Sequence, residues 1–355
     1  MVTPLRSVVF FTFLLLYFIG CFQLSGQEKK EYRIIGVGFY NLENLFDIYD
    51  DPNTYDDDRT PDGKDRWTEK VYREKVTNMA YAISQIGKKE TGKAPVLLGV
   101  CEIENRQVLE DLIKEPVLAA YNYGIVHYDS PDLRGIDVAL LYQKAYFHPT
   151  TTASHELILY DPKNPGKRVY TRDQLVVTGL LEGEPLHLIV NHWPSRSGGE
   201  KISSPKRENA ARLNRKIIDS IQRRDPYARI ISMGDFNDDP TNKSLKIVGA
   251  RPTKKEVEIR ELYNPMASLS KKGIGSLAYR DSWNLFDQIL LSRPFLNEDF
   301  SKYSFYKAGI FNEQFLVTPT GQYKGYPFRS FGSGGYTGGY SDHFPVYVLL
   351  IKEKT

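Results

Sequence analysis

"ISMGDFNDDP", residues 231–240, is an apolar run that stops abruptly in Gly234-Asp235-Phe236-Asn237. Successive side chains of a strand point to opposite faces, so Asp235 and Asn237, two apart, are expected on one side. A strand followed by an ordinary polar turn explains the composition equally well, because Asp, Asn and Pro are the usual turn formers. What separates a turn from a functional pair is whether other strands of the chain end the same way.

They do. Strand-like apolar runs recur at "RIIGVGFYNL" (33–42), "VLLGVCEI" (96–103), "IDVALLYQ" (136–143), "QLVVTGLL" (174–181), "LHLIVNHW" (186–193), "FDQILLS" (286–292) and "FPVYVLLI" (344–351). Polar residues stand where these runs stop or start: Asn41 and Glu43, Glu102, His192, Asp287, and the pair Asp342-His343. In an antiparallel sheet the end of one strand lies beside the start of its neighbour, so these residues can gather at a single edge. Each one singly has a structural explanation, as a turn residue, a core histidine or half of an ion pair. Together they are carboxylates and carboxamides, hard oxygen ligands that suit Mg²⁺, Mn²⁺ or Ca²⁺, joined by two His. That combination suggests metal-assisted attack on phosphorus. There is no paired-Cys or HExxH zinc pattern and no Gly-x-Ser-x-Gly elbow.

Helical patterns interleave with the strands. In 203–224 Ser204 can cap, Pro205 suits the first helical position, and Ala210, Leu213, Ile217 and Ile221 form one stripe. Other helices are expected from Thr68 to about Ile86 and over roughly 105–120, and the pair 174–181/186–193 reads as a hairpin. With 41% hydrophobic and 26% charged residues, 24 Tyr and 18 Phe, the chain suits a sheet-rich globular domain with a sizeable core. No repeat or Pro/Ser linker divides it, so one mixed α/β domain over 27–355 is expected.

Two loops need separate readings. In 50–66, Asp58, Thr60, Asp62 and Gly63, with Glu69 beyond, match EF-hand spacing, but Pro61 and Asp65 break the pattern, so a solvated loop is expected. "FRSFGSGGYTGGY" (328–340) lacks the Lys-Ser/Thr ending of a phosphate-binding loop and is read as a mobile loop beside a site.

Residues 1–26 carry one charge, Arg6, ahead of the apolar "VVFFTFLLLYFIGCF" (8–22), the pattern of a secretory signal. A short membrane anchor and a lipoprotein box at "FIGC", with lipidation of Cys21, are the alternatives. The expected location is therefore exported: periplasmic, an outer-membrane lipoprotein or extracellular. Loss of the signal takes the formal net charge from +3 to +2, a balance that argues neither for nor against nucleic acid. Cys101 is the cysteine left to the domain, so no internal disulfide is expected.

Read in order, "FYNLENLFD", "GVCEIEN", "RGIDVALLY", "TRDQLVV", "IVNHWPSR", "MGDFNDDP", "WNLFDQILLS" and "YSDHFPV" resemble the endonuclease/exonuclease/phosphatase superfamily over about residues 32–352. That superfamily includes DNase I, AP endonucleases, sphingomyelinases and inositol polyphosphate 5-phosphatases. "GDFN" and "SDH" in this order are its specific marks; "TRD" is not. "ENLFD" and "NHWPSR" look most like the secreted branch met in Bacteroidetes.

The resemblance implies a DNase I-like, four-layer αββα sandwich of mostly antiparallel or mixed sheets, with its site at one edge. It implies Glu102 as principal metal ligand with Asn41 nearby, Glu43 in the metal environment, and Asp235 and Asp342 close to the ion. Asp235 and Asn237 would orient water and phosphate. His343, oriented by Asp342 or Asp287, would be general base or phosphate contact. His192 matches a catalytic His of DNase I and the sphingomyelinases that AP endonucleases lack, and it or metal-bound water would protonate the leaving oxygen as general acid. Arg172 matches a phosphate-contacting Arg of DNase I, Arg134 is a weaker electrostatic candidate, and Asp137 would orient His192 or cap a strand.

The function implied is a secreted Mg²⁺-dependent phosphodiesterase, with Mn²⁺ or Ca²⁺ as other ions, acting on nucleic acid. A phosphomonoesterase or a lipid phosphodiesterase of inositol-phosphate or sphingomyelin type is the alternative. A non-catalytic binding protein is expected to have lost a matched ligand or His, and none is lost. No obligate protein partner is expected. On export, residues 1–26 should be removed or the chain held by lipid at Cys21. Intact mass of the exported protein checks this, and an unprocessed Met1 terminus would defeat the signal reading.

Overall fold

Alternation within each apolar run sorts its side chains onto two faces, and both faces of the central strands are buried. The strands of the two large sheets are β1 (Tyr32–Leu45), β2 (Leu97–Ile103), β3 (Tyr123–His127), β4 (Asp137–Gln143), β5 (Phe147–His155), β6 (Gln174–Leu181), β7 (Glu184–His192), β8 (Ile230–Asp235), β9 (Ala250–Arg251), β10 (Leu262–Tyr263), β11 (Asp287–Ser292), β12 (Ser304–Ile310) and β13 (Val346–Glu353). One sheet has the order β12-β13-β1-β2-β4-β3, the other β9-β10-β11-β8-β7-β6-β5. Pairs β1–β2 and β7–β8 are parallel, while β1–β13, β8–β11 and β6–β7 are antiparallel. This computed structural model describes residues 30–161 and 163–354; the signal segment and Cys21 lie outside the described residues.

Three apolar layers separate four structural ones. Ile35, Val37 and Phe39 of β1 meet Leu188 and Val190 of β7, Ile231 and Met233 of β8, and Ile289 and Leu291 of β11 between the sheets. The other face of the first sheet, through Tyr40, Leu98 and Val100, packs on α1 (Glu69–Gln85) and α2 (Arg106–Lys114). The other face of the second, through Ile189, Ile230 and Leu290, packs on α3 (Glu200–Arg224) and α4 (Lys243–Val248). The result is the expected αββα sandwich with mixed sheets.

The helix boundaries show which local signals won. Thr68 caps α1 through Val71 N, and Asn105 caps α2 through Val108 N. The expected helix over 105–120 breaks at Lys114, because Pro116 disfavours helical backbone at the residue before it. Helix α3 begins at Glu200, not at Ser204; Pro205 lies inside it, and Ser203 Oγ instead donates to Gly199 O at 2.8 Å. The hairpin closes as read, over two residues of left-handed backbone, Glu182 and Gly183.

In the acidic loop Arg59 pairs with Asp65 at 3.1 Å and Lys64 with Asp58 at 3.8 Å, so two of its carboxylates are answered from within. The segment 328–340 is held rather than loose. It forms the small hairpin Phe331–Gly332/Gly335–Tyr336, and Phe331 packs on Trp67 with centroids 5.2 Å apart.

Gly234 shows how tightly the site strand is set. It lies in register with Asn191 of β7, and a Cβ there would sit 2.3 Å from the Asn191 carbonyl oxygen. Because the obstacle is neighbouring backbone, Gly234→Ala should lower stability by about 1–3 kcal/mol, the usual cost of overpacking. Urea unfolding of the variant checks this; an unchanged midpoint would mean that the strands part without cost.

Candidate active site

The site is the continuation of the inter-sheet core. Along β8, Ile231 and Met233 face the opposing sheet, and the next residue of that parity is Asp235. Along β7 the same row runs Leu188, Val190, His192, and His192 is in register with Asp235. On β11, Asp287 precedes Ile289 and Leu291 in the same row and is also in register with Asp235. On β1, Asn41 follows Val37 and Phe39. Four strands thus deliver Asn41, His192, Asp235 and Asp287 to one end of the layer between the sheets, where apolar packing stops.

Asp235 Oδ2 is the hub. Asn41 Nδ2 donates to it at 3.3 Å, His192 Nε2 lies 3.7 Å away, and His343 Nε2 lies 4.0 Å away. Its other oxygen, Oδ1, accepts the Asn237 amide at 2.9 Å. Strand β8 ends at Asp235, and Asn237 is in left-handed backbone at φ 50°. The expected strand parity of Asp235 and Asn237 therefore does not operate; a turn closed by the Asp235 side chain brings them together. The Asn237 carboxamide donates to Trp193 O at 3.0 Å.

Glu102 reaches the same place by breaking parity. Its φ is 58°, and the β2–β4 register shifts between Cys101 and Ile103. Glu43 and Asn44 are also left-handed, at φ 47° and 53°. Such backbone costs an L-residue about 1–2 kcal/mol and gathers at functional sites. Glu102 Oε2 accepts the Asn44 amide at 3.1 Å, and Oε1 lies 3.8 Å from His192 Nε2.

Burial sets the protonation states. Burial, then the neighbouring Asp287 charge, pushes the Asp235 carboxyl up to about 7. Burial and the charges of Arg172, Arg134 and His343 hold His192 well below its usual range, so it is neutral near pH 7. Burial opposes charge on His343 too, but the Asp287 carboxylate, bonded to its Nδ1 at 2.6 Å, and Asp235 beyond it raise it well above the usual range. His343 is thus the cation of the pair. Cys101, within reach of His192 and Asp235, stays a thiol because burial and the carboxylates of Asp235 and Glu102 push it up.

A divalent cation fits this charge pattern. Among the described residues no Lys or Arg pairs with Glu102, Asp235 or Asp287, leaving three carboxyls against one imidazolium. Asp287 Oδ1 and His192 Nδ1 are buried without partners. The free donors are predominantly oxygens, the preference of Mg²⁺ and Mn²⁺.

Other expected residues are placed differently. Asp287, not Asp342, orients His343; Asp342 faces Arg329 at 3.5 Å and is partly exposed. Glu43 turns its carboxylate to the amide and hydroxyl of Ser330 and to Arg329 Nε, so it anchors the 328–340 segment instead of facing Asp235. Arg172 is buried, with Nη1 on Asp132 at 2.9 Å and Nη2 on Trp193 O at 2.7 Å, so two of its nitrogens brace the site, while its buried Nε has no partner. Arg134 also leans on Asp132, at 3.4 Å, but is half exposed and keeps donors for a ligand. Asp137 does not orient His192; it binds His127 Nε2 at 2.9 Å and the Ser130 amide at 2.8 Å.

Four supports escaped the sequence reading. Asp132 clamps both arginines, and the Ser276 hydroxyl donates to Asp287. Lys75, fully buried on α1 and pushed down to about 8 by that burial, donates to Glu43 O at 2.7 Å and to the Ser330 hydroxyl. The Asn44 amide fixes Glu102. Asp132 and Ser276 lie in loops, Lys75 on a helix and Asn44 in the irregular end of β1, so their meeting with the site depends on tertiary packing, and only the Asp132-x-Arg134 spacing hinted at a role.

Comparison with known proteins shows the family and the fold. A profile of the endonuclease/exonuclease/phosphatase family matches residues 36–352. No curated protein matches the chain. An endonuclease/exonuclease/phosphatase family protein from Bacteroides thetaiotaomicron superposes with a TM-score of 0.52 at 17% identity, covering 91% of this chain and 97% of its own. A mannosyl-6-phosphatase of the same organism gives 0.51 at 17% identity, covering 89% and 99%. D. rerio TDP2 complexed with single-strand DNA product gives 0.50 at 14% identity, covering 89% and 98%. With one family profile spanning both sheets and every strand end of the site, the chain belongs to the endonuclease/exonuclease/phosphatase family.

Proposed function

We propose that this protein is an exported phosphoric ester hydrolase that requires a divalent cation, Mg²⁺ or Mn²⁺. The observation that carries it is the row His192–Asp235–Asp287 with His343, closed by Glu102 from the opposing sheet and deficient in positive charge. Glu102 and the Asn41 oxygen would hold the cation, with Asp235 beside them. When bound, it supplies Lewis-acid stabilisation of charge on the phosphoryl and leaving oxygens.

The chain's own groups do the rest. Asp235, with its carboxyl pushed up to about 7, takes the proton of the attacking water near neutral pH. The His343 imidazolium, fixed by Asp287, offsets charge on a phosphoryl oxygen as attack proceeds. Neutral His192 offers a hydrogen bond and not a proton, which departs from the general-acid role expected of it.

A phosphodiester of nucleic acid is the substrate read from the sequence, and the likeness to the TDP2 structure with a single-strand DNA product supports it. A phosphomonoester is the second reading. The likeness to a mannosyl-6-phosphatase supports it, as does a charge-balanced cleft beside Asp342. Export rests on the pattern of residues 1–26.

Glu102→Gln should reduce hydrolysis of phosphate esters to near background while circular dichroism stays native, and EDTA should do the same to the wild type. Full turnover in excess EDTA would sink the metal reading.

His192→Ala should slow hydrolysis by about 10²–10³-fold, the range for loss of one positioned hydrogen-bond donor. The loss should be equal on a natural diester and on bis-p-nitrophenyl phosphate, because a neutral imidazole does not protonate the leaving oxygen. A markedly larger loss on the natural ester would restore the general-acid role.

A further inference from the structure

Beside the catalytic row lies a cleft of about 890 Å³ that the reaction itself does not use. Its walls are the small hairpin Leu277–Tyr279/Ser282–Asn284, the segment around 318–327 and the glycine-rich segment 328–337. It meets the catalytic centre at Arg329, which holds Glu43, and at Asp342, the neighbour of His343. The hairpin wall is braced on the same centre, since Ser276, just before it, bonds Asp287 and accepts the Phe344 amide at 2.7 Å.

Aromatic rings lead outward along this wall. Phe344, next to His343, stacks on Trp283 at 6.0 Å with an interplanar angle of 14°; Trp283 lies 6.0 Å from Tyr326, and Tyr326 5.8 Å from Tyr323. Across the hairpin tip Tyr279 carries the Arg280 guanidinium over its ring at 5.3 Å. Tyr279 and Tyr323 are 63% and 57% exposed, so both are open to a ligand. Exposed aromatic clusters at a cleft mark binding surfaces, and flat ring faces stack on ligand rings.

The charges of the lining cancel: Arg280 and Arg329 stand against Asp281 and Asp342. A polynucleotide carries a negative charge at every phosphate and needs a net positive track. A compact phosphate ester of a ring alcohol has its charge at the reacting phosphate alone. The rest of it offers an apolar ring face to stack and hydroxyl edges for Arg and Asp to bind.

We infer that the Tyr279–Tyr323 cleft binds the uncharged, hydroxylated ring of the leaving group, the sugar of a hexose phosphate or of a mononucleotide. The inference rests on the phosphoesterase reading for its orientation, with phosphate at Asp235 and the ring beyond Asp342. It makes the cleft the specificity-determining part of the site and favours monoesters over strands.

Calorimetric titration of the full domain in EDTA tests the cleft without turnover. The probes are a hexose 6-phosphate, a nucleoside 5′-monophosphate, ring-free glycerol 3-phosphate and a single-stranded oligonucleotide. At least one ring-bearing monoester should bind about 10-fold or more tightly than glycerol 3-phosphate, the worth of one stacked ring; which one binds names the source of the ring. Y279A/Y323A should erase that preference and Y279F/Y323F should keep it. Equal binding of ring-bearing and ring-free esters, a preference that survives the alanine pair, or tighter binding of the oligonucleotide than of every monoester would each overturn the inference. Hydrolysis of the same compounds with Mg²⁺ is scored separately. Absence of turnover with the ring preference intact would defeat the phosphoesterase reading and leave the cleft standing.

Discussion

The Asp235 carboxyl occupies the last inter-sheet position of β8, where Met233 has just completed an apolar row. A buried carboxylate costs several kcal/mol unless neighbours answer it, and the surrounding groups are arranged to do so. Asn41 donates to one oxygen and the Asn237 amide to the other, while two imidazoles stand near the first. Asp287 keeps one of those imidazoles charged, while burial and the Arg172 charge keep the other neutral. The fold's need to compensate a buried acid and the site's need for a base active near neutral pH are met by the same contacts.

Two sheets are required because the opposing charge-bearing groups come from both. The second sheet brings His192, Asp235 and Asp287 in register; the first brings Asn41 by parity and Glu102 by a strained turn in the backbone. Left-handed backbone at Glu43, Asn44, Glu102 and Asn237 surrounds the centre, and hydrogen bonds offset it: the local Asn237 N to Asp235, and the long-range Asn44 N to Glu102 and Ser330 to Glu43. Buried Lys75 then joins α1 to the glycine-rich segment through Glu43. That segment is a wall of the cleft, so the rigidity of the metal-side residues extends to the surface where the leaving group would lie.

The chemistry and the specificity are thus built from different materials. The reacting end uses strand ends, whose positions are fixed within the sheets and whose charges are isolated from water. The cleft uses hairpins and loops with exposed rings, which relatives of the same fold are free to vary. Structures that share this fold include a mannosyl-6-phosphatase and a TDP2 complexed with single-strand DNA product.

What the sequence determined by itself was what repeats along a strand or is written next to it. Apolar alternation fixed the strands, polar residues at their ends marked Asn41, Glu102, His192, Asp235, Asp287 and His343, and caps at Thr68 and Asn105 set two helix starts. Strand parity alone predicts that an inter-sheet row ending in a polar residue delivers it to the edge, and at the end of that row Asn41, His192, Asp235 and Asp287 meet. The tertiary structure decided everything that depends on which segments meet. It chose Asp287 over Asp342 as the partner of His343, turned Glu43 toward Ser330, enclosed Arg172 with Asp132, and gave Asp137 to His127. It also decided protonation, because burial and the sum of distant charges, neither of them local in sequence, hold His192 neutral and His343 charged.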